Sequence, residues 1–411
     1  MPDPQDPSAP RSAQARLESA YEAMQADNPR INAVLDVFND TAIESMLDAD
    51  QRGETGDALS PIDGMPVGVS AAFGVEGRFH HAGIKAYAAR RAERDATAVA
   101  RLRKGGALIT GTLNQDEGGL GATTDNPWFG RTTHPARDGH IPGGPCGGSA
   151  AAVAAQFCEA ALGTDSLGGA RVAAGWCGTV GFTASHDPAL LGGTTAPSPT
   201  LDALTVFAQT LDTAADVMAV LLERELSRGT AGEVHLADWA GAADCEPGVQ
   251  AAFGAFADTL GPLPATGLGP YDGHRSVETA RLALEADAHA CHADRLSKAP
   301  GGFSDDFRAR LERGRDVPRA EVESARAHIA EMRDAALPDF ILLPTAPITA
   351  PPFDAEISST PNIFAALAAL TGRPAIQFHI GDADGLPVGA QLVGPRGGEA
   401  DLVATLRRLL G

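Results

Sequence analysis

Lysine is nearly absent from this chain, and basic residues as a whole are scarce. Lysine and arginine number 32 against 53 aspartates and glutamates, so the formal net charge is −21. Nucleic acid and anionic membrane surfaces are bound through basic faces, and we expect neither as a partner. The three lysines are Lys85, Lys104 and Lys298. Their scarcity bears on catalysis, because a catalytic base must be able to lose its proton, which arginine cannot do.

Signals for secretion, membrane insertion and disulfide bonding are also missing. The N-terminus MPDPQDPSAP has neither the basic nor the apolar region of a secretory signal, and no run of 18 apolar residues occurs. The five cysteines are odd in number and form no CxxC pair: Cys146, Cys158, Cys177, Cys245 and Cys291. This usage is typical of a reduced protein. We therefore expect a cytoplasmic localisation.

Composition and pattern indicate a folded α/β protein. Hydrophobic residues make up 44% of the chain and charged residues 21%, as in globular domains. Residues 1–11 are rich in proline and aspartate and are predicted to be disordered. Over the remainder, strand-like segments alternate with helical patterns, which predicts a largely buried mixed sheet. These segments lie at 65–69, 107–110, 160–164, 204–207, 340–343, 375–379 and 388–393.

Apolar periodicity predicts the main helices. Two helices are expected between residues 12 and 50, separated by Asn-Pro-Arg at 28–30. The alanine-rich segment 150–160 is predicted to be helical, with Ser149 as its N-cap. Residues 223–336 form charged helical patterns and carry no recognisable catalytic motif.

Six segments, in order along the chain, resemble consecutive blocks of the amidase signature family. They are DGMPVGVS (63–70), TLNQDEGGLGATTDNPWFGRTTHP (112–135), IPGGPCGGSAAAVAA (141–155), ALGTDSLGGARVAAGWCGTVGF (161–182), LDALTVFAQTLDTAADVMAVLL (201–222) and TGRPAIQFH with GLPVGAQLVGP (371–395). INAVLDVF at 31–38 resembles the family's N-terminal helix.

The resemblance implies one α/β/α domain, with a large mixed β-sheet covered by helices, over residues 12–411. The matched regions are 28–222 and 338–411. Residues 223–337 are then expected to be a variable helical insert.

The resemblance also implies a reaction. Family members use a serine nucleophile, a second serine in a cis peptide that relays the proton, and a lysine base. A serine hydroxyl is a weak nucleophile until a neighbouring base removes its proton. Lysine can be that base only as a neutral amine, which burial favours. Backbone N–H groups of a glycine-rich loop hold the oxyanion. Neither a metal nor a cofactor is expected.

This chain departs from the family pattern at all three catalytic positions. Ser70 stands at the lysine position, Pro145 at the bridging serine, and Gly169 at the nucleophile 24 residues further on. The motif from Gly163 to Gly178 aligns without a gap. Because removing one member of a hydrolase triad costs about 10⁴–10⁶ in rate, we expect no standard amidase activity.

The surrounding framework is otherwise retained. The pocket and oxyanion loop is predicted to be Ser166, Leu167, Gly168 and Gly169, in which Leu167 replaces a glycine. The residues that match the family's supporting shell are Asp116, Ser149, Asp165, Arg171 and Cys177.

Pro145 offers a test of the alignment. A cis peptide bond costs about 2.5–4 kcal/mol before most residues but only about 0.5–1 kcal/mol before proline. Proline therefore keeps the cis turn of the family once no hydroxyl is needed there. We predict that the Gly144–Pro145 bond is cis.

Two residues are candidates to replace the missing nucleophile. Cys146 is a thiol beside the bridging position, and Ser166 lies three residues before the nucleophile position. A packing or turn role is favoured for both, because no neighbouring base is identifiable. The histidines at 80, 81, 134 and 140 lack the spacing of a metal site and are interpreted as surface or capping groups.

We interpret the chain as a catalytically inactive pseudo-amidase that acts as a small-molecule-binding or complex-forming subunit. The alternatives are an enzyme with altered chemistry in the same pocket, based on Cys146 or Ser166, and a residual amidohydrolase on a small amide. The partners considered are a second copy of the chain in a homodimer, a different protein in a hetero-complex, and a small amide-like ligand.

Overall fold

The structure is a computed structural model that describes residues 12–195, 197–238, 245–355 and 361–411. The predicted disorder of residues 1–11 lies outside this range. The strands are β1 (Val34–Val37), β2 (Pro66–Ser70), β3 (Leu108–Leu113), β4 (Asp125–Asn126), β5 (Gly130–Arg131), β6 (Ala160–Asp165), β7 (Val180–Thr183), β8 (Ala203–Ala208), β9 (Val234–Ala237), β10 (Ala265–Thr266), β11 (Phe340–Pro344), β12 (Ala375–Ala383) and β13 (Leu386–Val393).

Helices cover both the sheet and its ends. They are α1 (Ala13–Ile31), α2 (Asn39–Thr55), α3 (Thr97–Lys104), α4 (Gly147–Ala154), α5 (Gly169–Trp176), α6 (Leu211–Leu222), α7 (Pro247–Thr259), α8 (His274–Lys298), α9 (Asp305–Asp316), α10 (Arg319–Asp334), α11 (Ala366–Thr371) and α12 (Glu399–Leu410). In the described ranges, none of these helices is long and apolar enough to cross a bilayer.

One mixed sheet of 11 strands organises the molecule, in the order β1-β3-β2-β6-β8-β7-β12-β13-β11-β9-β10. Strand β2 runs parallel to β3 and β6, whereas β6 is antiparallel to β8. Every residue of β2, β3, β6, β7 and β8 is buried. The predicted fold class, a large mixed sheet covered by helices, is confirmed.

Two short helices of small residues pack against the centre of this sheet. All residues of α4 from Gly147 to Val153 are buried. A Cβ atom at Gly148 would lie 2.2 Å from the Asn114 carbonyl oxygen, so only glycine allows this approach. Helix α5 follows β6 after only three residues, 166–168. This tight connection places the loop at the carboxyl end of β6.

Helices α8 and α9 form a hairpin that covers the same end of β6. The chain turns between them within residues 299–304. The two helices approach closely at Gly314, where a Cβ atom would lie 2.0 Å from the Glu285 carbonyl oxygen. This hairpin supplies the outer wall of the site described below.

All seven predicted strand segments are confirmed, but the N-terminal helix prediction is wrong in part. The second predicted helix is present as α2, but residues 34–37 form strand β1 rather than its start, because Val34 and Val37 pair with Leu113 and Gly111 of β3. INAVLDVF at 31–38 is accordingly not a helix. Helix α1 runs through Pro29 to Ile31 and ends at Asn32, whose φ is 55°.

The prediction for helix 150–160 was also wrong at both ends. Helix α4 begins at Gly147, so Ser149 lies inside its first turn and does not cap it. The Ser149 hydroxyl donates instead to the Leu162 carbonyl of β6 at 2.9 Å. The helix ends at Ala154, and Gln156 then takes a φ of 60°.

Candidate functional site

A pocket of about 530 Å³ lies at the carboxyl end of β6. Its floor is formed by the Gly144–Pro145 turn, the loop from Ser166 to Gly169, and Val172 of α5. Its walls come from the loop 119–122, from helices α8 and α9, and from Pro361 and Asn362. The predicted loop residues Ser166, Leu167 and Gly169 therefore lie together on one cavity.

The structure brings the predicted positions 145 and 169 into contact. The Gly144–Pro145 bond is cis, which confirms the prediction. A Cβ atom at Gly169 would lie 2.5 Å from the Gly144 carbonyl oxygen and 2.9 Å from Pro145 Cδ. Any side chain at position 169 would thus require this turn to move.

Ser70 ends strand β2 and is fully buried near the same turn. Its hydroxyl donates to the side-chain carbonyl of Gln115. The Cys146 sulfur lies 4.0 Å from the Ser70 hydroxyl. Ser70 is therefore held by an uncharged amide partner.

The three lysines have their ammonium groups engaged elsewhere. Lys85 Nζ lies 4.6 Å from the centre of the Trp128 ring. Lys104 pairs with Glu223 at 2.8 Å, and Lys298 pairs with Asp294 at 2.7 Å. Each lysine is thus bound to a partner outside the pocket lining.

Cys146 lies beneath the cavity and is fully buried. Burial raises the pKa of its thiol to about 11. The thiol donates to the Thr164 carbonyl at 3.5 Å and accepts the Thr164 N–H at 3.4 Å. Since thiolate is the nucleophilic form, this setting favours the unreactive thiol.

Ser166 faces the pocket and has a carboxyl partner that the sequence interpretation missed. Its Oγ donates to Asp202 Oδ1 at 2.5 Å. Asp202 also accepts the Ser198 N–H at 2.8 Å. Burial raises the pKa of Asp202 to about 7. The candidate serine thus has a titratable neighbour, although the two residues are 36 positions apart.

Leu167 and Gly168 shape the floor beside Ser166. Leu167 lines the pocket, and its carbonyl accepts the Asn362 side-chain N–H at 2.7 Å. Gly168 has a φ of 90°, and a Cβ atom there would lie 2.4 Å from that of Ala365. Glycine is required at this position for both reasons.

Asp165 and Arg171 form a buried ion pair behind the loop. Their Oδ2 and Nε atoms are 2.9 Å apart, and both side chains are 0% exposed. The Gly168 N–H also donates to Asp165, and Arg171 donates to Gln391 at 2.6 Å. These bonds anchor both ends of the loop that precedes α5.

Asp116 and Cys177 are buried beside the cis turn. Burial raises the pKa of Asp116 to about 6. A Cβ atom at Gly144 would lie 2.2 Å from Asp116 Oδ2, so the carboxyl lies directly against the turn. The Cys177 thiol donates to the Pro142 carbonyl at 3.4 Å.

The loop histidines were interpreted as surface or capping groups, and three of the four do not lie at the surface. His80, His81 and His134 are buried. Burial lowers the pKa values of His80 and His81 to about 4. Their roles are local: His81 Nδ1, for example, accepts the Gly83 N–H at 3.0 Å. Within the described ranges no group of three or more acidic, histidine or cysteine side chains could hold a metal.

The charged outer wall of the pocket was not predicted. Arg313 of α9 pairs with Glu285 of α8 at 2.8 Å, which joins the two helices of the hairpin, and both residues line the cavity. Arg310 donates to the Leu120 carbonyl at 3.1 Å. Arg281 also lines the cavity. No local motif marks these residues, because the hairpin reaches the site only through tertiary packing.

Comparison with known proteins identifies the family. The family profile described as Amidase matches residues 15–240 and 278–403. A glutamyl-tRNA(Gln) amidotransferase subunit of Chloroflexus aggregans is 29% identical over 94% of this chain and 90% of that protein.

Two solved structures share the fold. A crystal structure of an amidase is 28% identical, covers 97% of this chain and 96% of its own, and superimposes with a TM-score of 0.87. A protein from a vestigial complex, described as revealing the origins of an s-triazine catabolic enzyme, has the same TM-score and 27% identity over 97% of this chain and 95% of its own. The chain therefore belongs to the amidase signature family.

Proposed function

We propose that this protein is a pseudo-amidase, whose pocket binds a small amide-like molecule without hydrolysing it by Ser–Ser–Lys chemistry. The observation that carries the proposal is the contact between Gly169 and the cis turn. A serine at 169 would place its Cβ 2.5 Å from the Gly144 carbonyl oxygen. The site in its present shape thus has no room for the family's nucleophile.

The proton-accepting side of the reaction supports the same conclusion. Ser70 stands where the family has its lysine and bonds to the neutral amide of Gln115. A serine hydroxyl cannot take a proton from a second hydroxyl at neutral pH as an amine can. The three lysines are engaged outside the pocket, with Trp128, Glu223 and Asp294.

The cavity itself supports binding of a small molecule. Its volume of about 530 Å³ is within the usual range for small-molecule sites, about 300–1,000 Å³. The lining combines apolar side chains, such as Leu120 and Val172, with charged ones, such as Arg281 and Glu278. Such a lining can hold the apolar body of a ligand and orient its polar ends.

Catalysis and binding are tested separately. Purified protein is incubated with a panel of primary aliphatic and aromatic amides, and ammonia release is measured beside an active family member. We expect no release above the uncatalysed rate, but saturable heat of binding in calorimetry for part of the panel. Ammonia release by the unaltered chain would refute the inactive assignment, and absence of all binding would refute the ligand-binding role.

Restoring the family's residues is a second test. We expect Ser70→Lys, Pro145→Ser and Gly169→Ser to yield amide hydrolysis only when combined, because each group acts through the others. Gly169→Ser alone should destabilise the protein, since Pro145 Cδ and the Gly144 carbonyl crowd the new Cβ. The double variant that lacks Ser70→Lys is the matched control. Activity in that control would contradict the assignment of position 70.

We further propose that the chain assembles with a different protein. One relative is named as part of an amidotransferase, and one solved relative comes from a protein complex. A homodimer is the competing assembly. Light scattering of the isolated chain after size exclusion separates the two: a monomer that enters a hetero-complex with proteins co-expressed from its gene neighbours supports the proposal, whereas a stable dimer that captures none contradicts it.

A further inference from the structure

Ser166 presents a hydroxyl to the pocket and lies against a buried carboxyl. It is 6% exposed and lines the cavity beside Gly169, and Asp202 behind it is 0% exposed. The sheet places the two residues together. Asp165 pairs with Ala203 in the antiparallel β6–β8 register, so the next residue of one strand meets the preceding residue of the other. The 2.5 Å bond from Ser166 Oγ to Asp202 Oδ1 follows from this register.

Asp202 is held in position from its other side. The Ser198 N–H donates to Asp202 Oδ2 at 2.8 Å, and the Ser198 hydroxyl donates to Asp287 Oδ2 at 2.6 Å. Arg326 then pairs with Asp287 at 2.7 Å. This line of bonds runs from the pocket floor toward the surface. It keeps one carboxylate oxygen of Asp202 directed at Ser166.

We propose that Ser166 is an acyl-accepting nucleophile and Asp202 its general base, acting on carboxylic esters and thioesters with good leaving groups. This activity goes beyond the binding role proposed above, and it does not require the positions of Ser70, Pro145 or Gly169 to take part. The pocket binds the acyl donor, the Ser166 hydroxyl attacks its acyl carbon, and the Asp202 carboxylate accepts the hydroxyl proton.

The reaction balances with water as the only co-reactant. Ser166 Oγ forms a bond to the acyl carbon while its proton passes to Asp202 Oδ1. The bond from carbon to the leaving oxygen or sulfur then breaks, the leaving group departs with the electron pair, and Asp202 retains the proton. Water from the pocket next attacks the acyl carbon of the acyl-serine and releases a proton to solvent, and Asp202 returns its proton to Ser166 Oγ as the acid departs. Ester and water become acid and alcohol.

The geometry limits this pair to acyl donors whose leaving group departs unassisted. An amine must be protonated before it leaves an amide, which requires an acid on the leaving-group side. Asp202 is fully buried and lies behind Ser166, not in the pocket lining. A phenolate or thiolate needs no such acid. Helix α5 begins at Gly169, which lines the pocket, and the N–H groups of a first helical turn have no acceptor within the helix, so they can donate to the developing oxyanion.

The base must be ionised for this step, and its surroundings determine when it is. Burial raises the pKa of Asp202 to about 7, while the bonds from Ser166 and Ser198 lower it. The carboxylates of Asp165 and Asp287 raise it further, and the Cys291 thiol also interacts with it. Acylation is therefore expected to rise about tenfold per pH unit below pH 7 and to level off above it.

The first experiment measures p-nitrophenolate release from p-nitrophenyl acetate by the full chain. Ser166→Ala and Asp202→Asn are each expected to lower the rate by about 100-fold or more, the usual size of a general-base contribution. Ser297→Ala, which removes an exposed hydroxyl on α8, is the control and should retain the full rate. A rate unchanged in Ser166→Ala would overturn the proposal.

A second measurement uses the unaltered chain, so its result does not depend on whether a variant folds. The unaltered chain is treated with the ester, quenched in acid, and digested for mass spectrometry. We expect one acetyl group per chain, on Ser166, and a labelling rate that follows the ionisation of Asp202. Labelling at Cys146, on surface residues or nowhere overturns the acyl-transfer proposal. Amide binding without acylation would leave the pseudo-amidase assignment standing, so the two failures are distinguishable.

Discussion

Asp165 and Asp202 are two buried carboxyls of the site that differ in their partners. Asp165 has the guanidinium of Arg171 at 2.9 Å. Asp202 is bonded to the Ser166 hydroxyl and the Ser198 N–H, neither of which carries a charge. The first carboxyl is therefore held as one half of an ion pair. The second is poorly compensated when ionised, which is why its pKa rises to about 7.

Removing the partner of Asp165 should be costly. In Arg171→Ala the carboxylate of Asp165 remains buried without its counter-charge, and such changes cost about 3–5 kcal/mol. Denaturant unfolding measures the loss. Arg319→Ala is the control, because Arg319 pairs with Glu323 on the exposed face of α10, where ion pairs contribute about 0–1 kcal/mol. Equal losses in both variants would contradict the anchoring role of the buried pair.

Asp202 should make stability depend on pH in a definite direction. Its pKa rises from 3.8 to about 7 on folding, so the folded state prefers the protonated form. Between these two pKa values, ionisation of this carboxyl stabilises the unfolded state increasingly as the pH rises. The free energy of unfolding therefore falls by about 1.4 kcal/mol per pH unit from this group. In Asp202→Asn the loss should vanish. The free energy of unfolding is measured for the unaltered chain and for Asp202→Asn at pH 5, 6 and 7. The difference between the two proteins must grow with pH.

Helices α4 and α5 show how small residues position the site. Glycine and alanine allow both helices to pack directly against the central strands, and this brings the Gly144–Pro145 turn against Gly169. Helix α5 begins one residue after Gly168, whose φ of 90° turns the chain sharply away from β6. The pocket floor is thus formed mainly by backbone. The side chains that could act chemically come from the ends of the flanking strands.

The close packing of α4 predicts opposite effects for two helical glycines. In Gly148→Ala the new methyl group meets the Asn114 backbone at 2.2 Å, and overpacking of this kind costs about 1–3 kcal/mol. In Gly254→Ala the methyl group of α7 meets nothing within 4 Å, and the gain in helix propensity is about 1 kcal/mol. Thermal unfolding of the two variants measures the signs. A stabilising Gly148→Ala would contradict the described packing.

The elements that were predicted well are those in which local pattern and burial agree. The strand segments predicted at 107–110 and 340–343 lie within the buried strands β3 and β11, neither of which is at an edge of the sheet. Strand β1 was mistaken for a helix because its identity depends on pairing with β3 at the sheet edge. Ser149 was mistaken for an N-cap because the Leu162 carbonyl competes for its hydroxyl. Both errors reflect long-range partners that override local preference.

At the scale of the whole molecule, acidic charge dominates. The formal net charge of −21 implies self-repulsion, which weakens the compact state. Many arginines are used in ion pairs at the surface, such as Arg407 with Asp212. These pairs offset part of the repulsion locally.

Salt should therefore stabilise the protein. Raising the ionic strength from about 0.01 M to about 1 M shortens the screening length from about 30 Å to about 3 Å, which removes most repulsion between distant carboxylates. We expect the midpoint of thermal unfolding to rise over this range of sodium chloride. Measurement in a charge-neutral osmolyte of equal osmolality is the control. A midpoint that falls with salt would show that the ion pairs outweigh the repulsion.

The sequence by itself determined the family, the sheet-forming segments, the cis bond before Pro145 and the residues at positions 70, 145 and 169. These follow from local motifs and from their spacing, which can be read directly from the amino-acid sequence. Only the tertiary structure revealed the Asp202 carboxyl beneath Ser166, the crowding of Gly169 by the cis turn, and the arginine-bearing wall of α8 and α9. The physical reason is that burial and strand register bring together groups far apart in the chain, and those contacts decide the ionisation of a carboxyl and the space for a side chain.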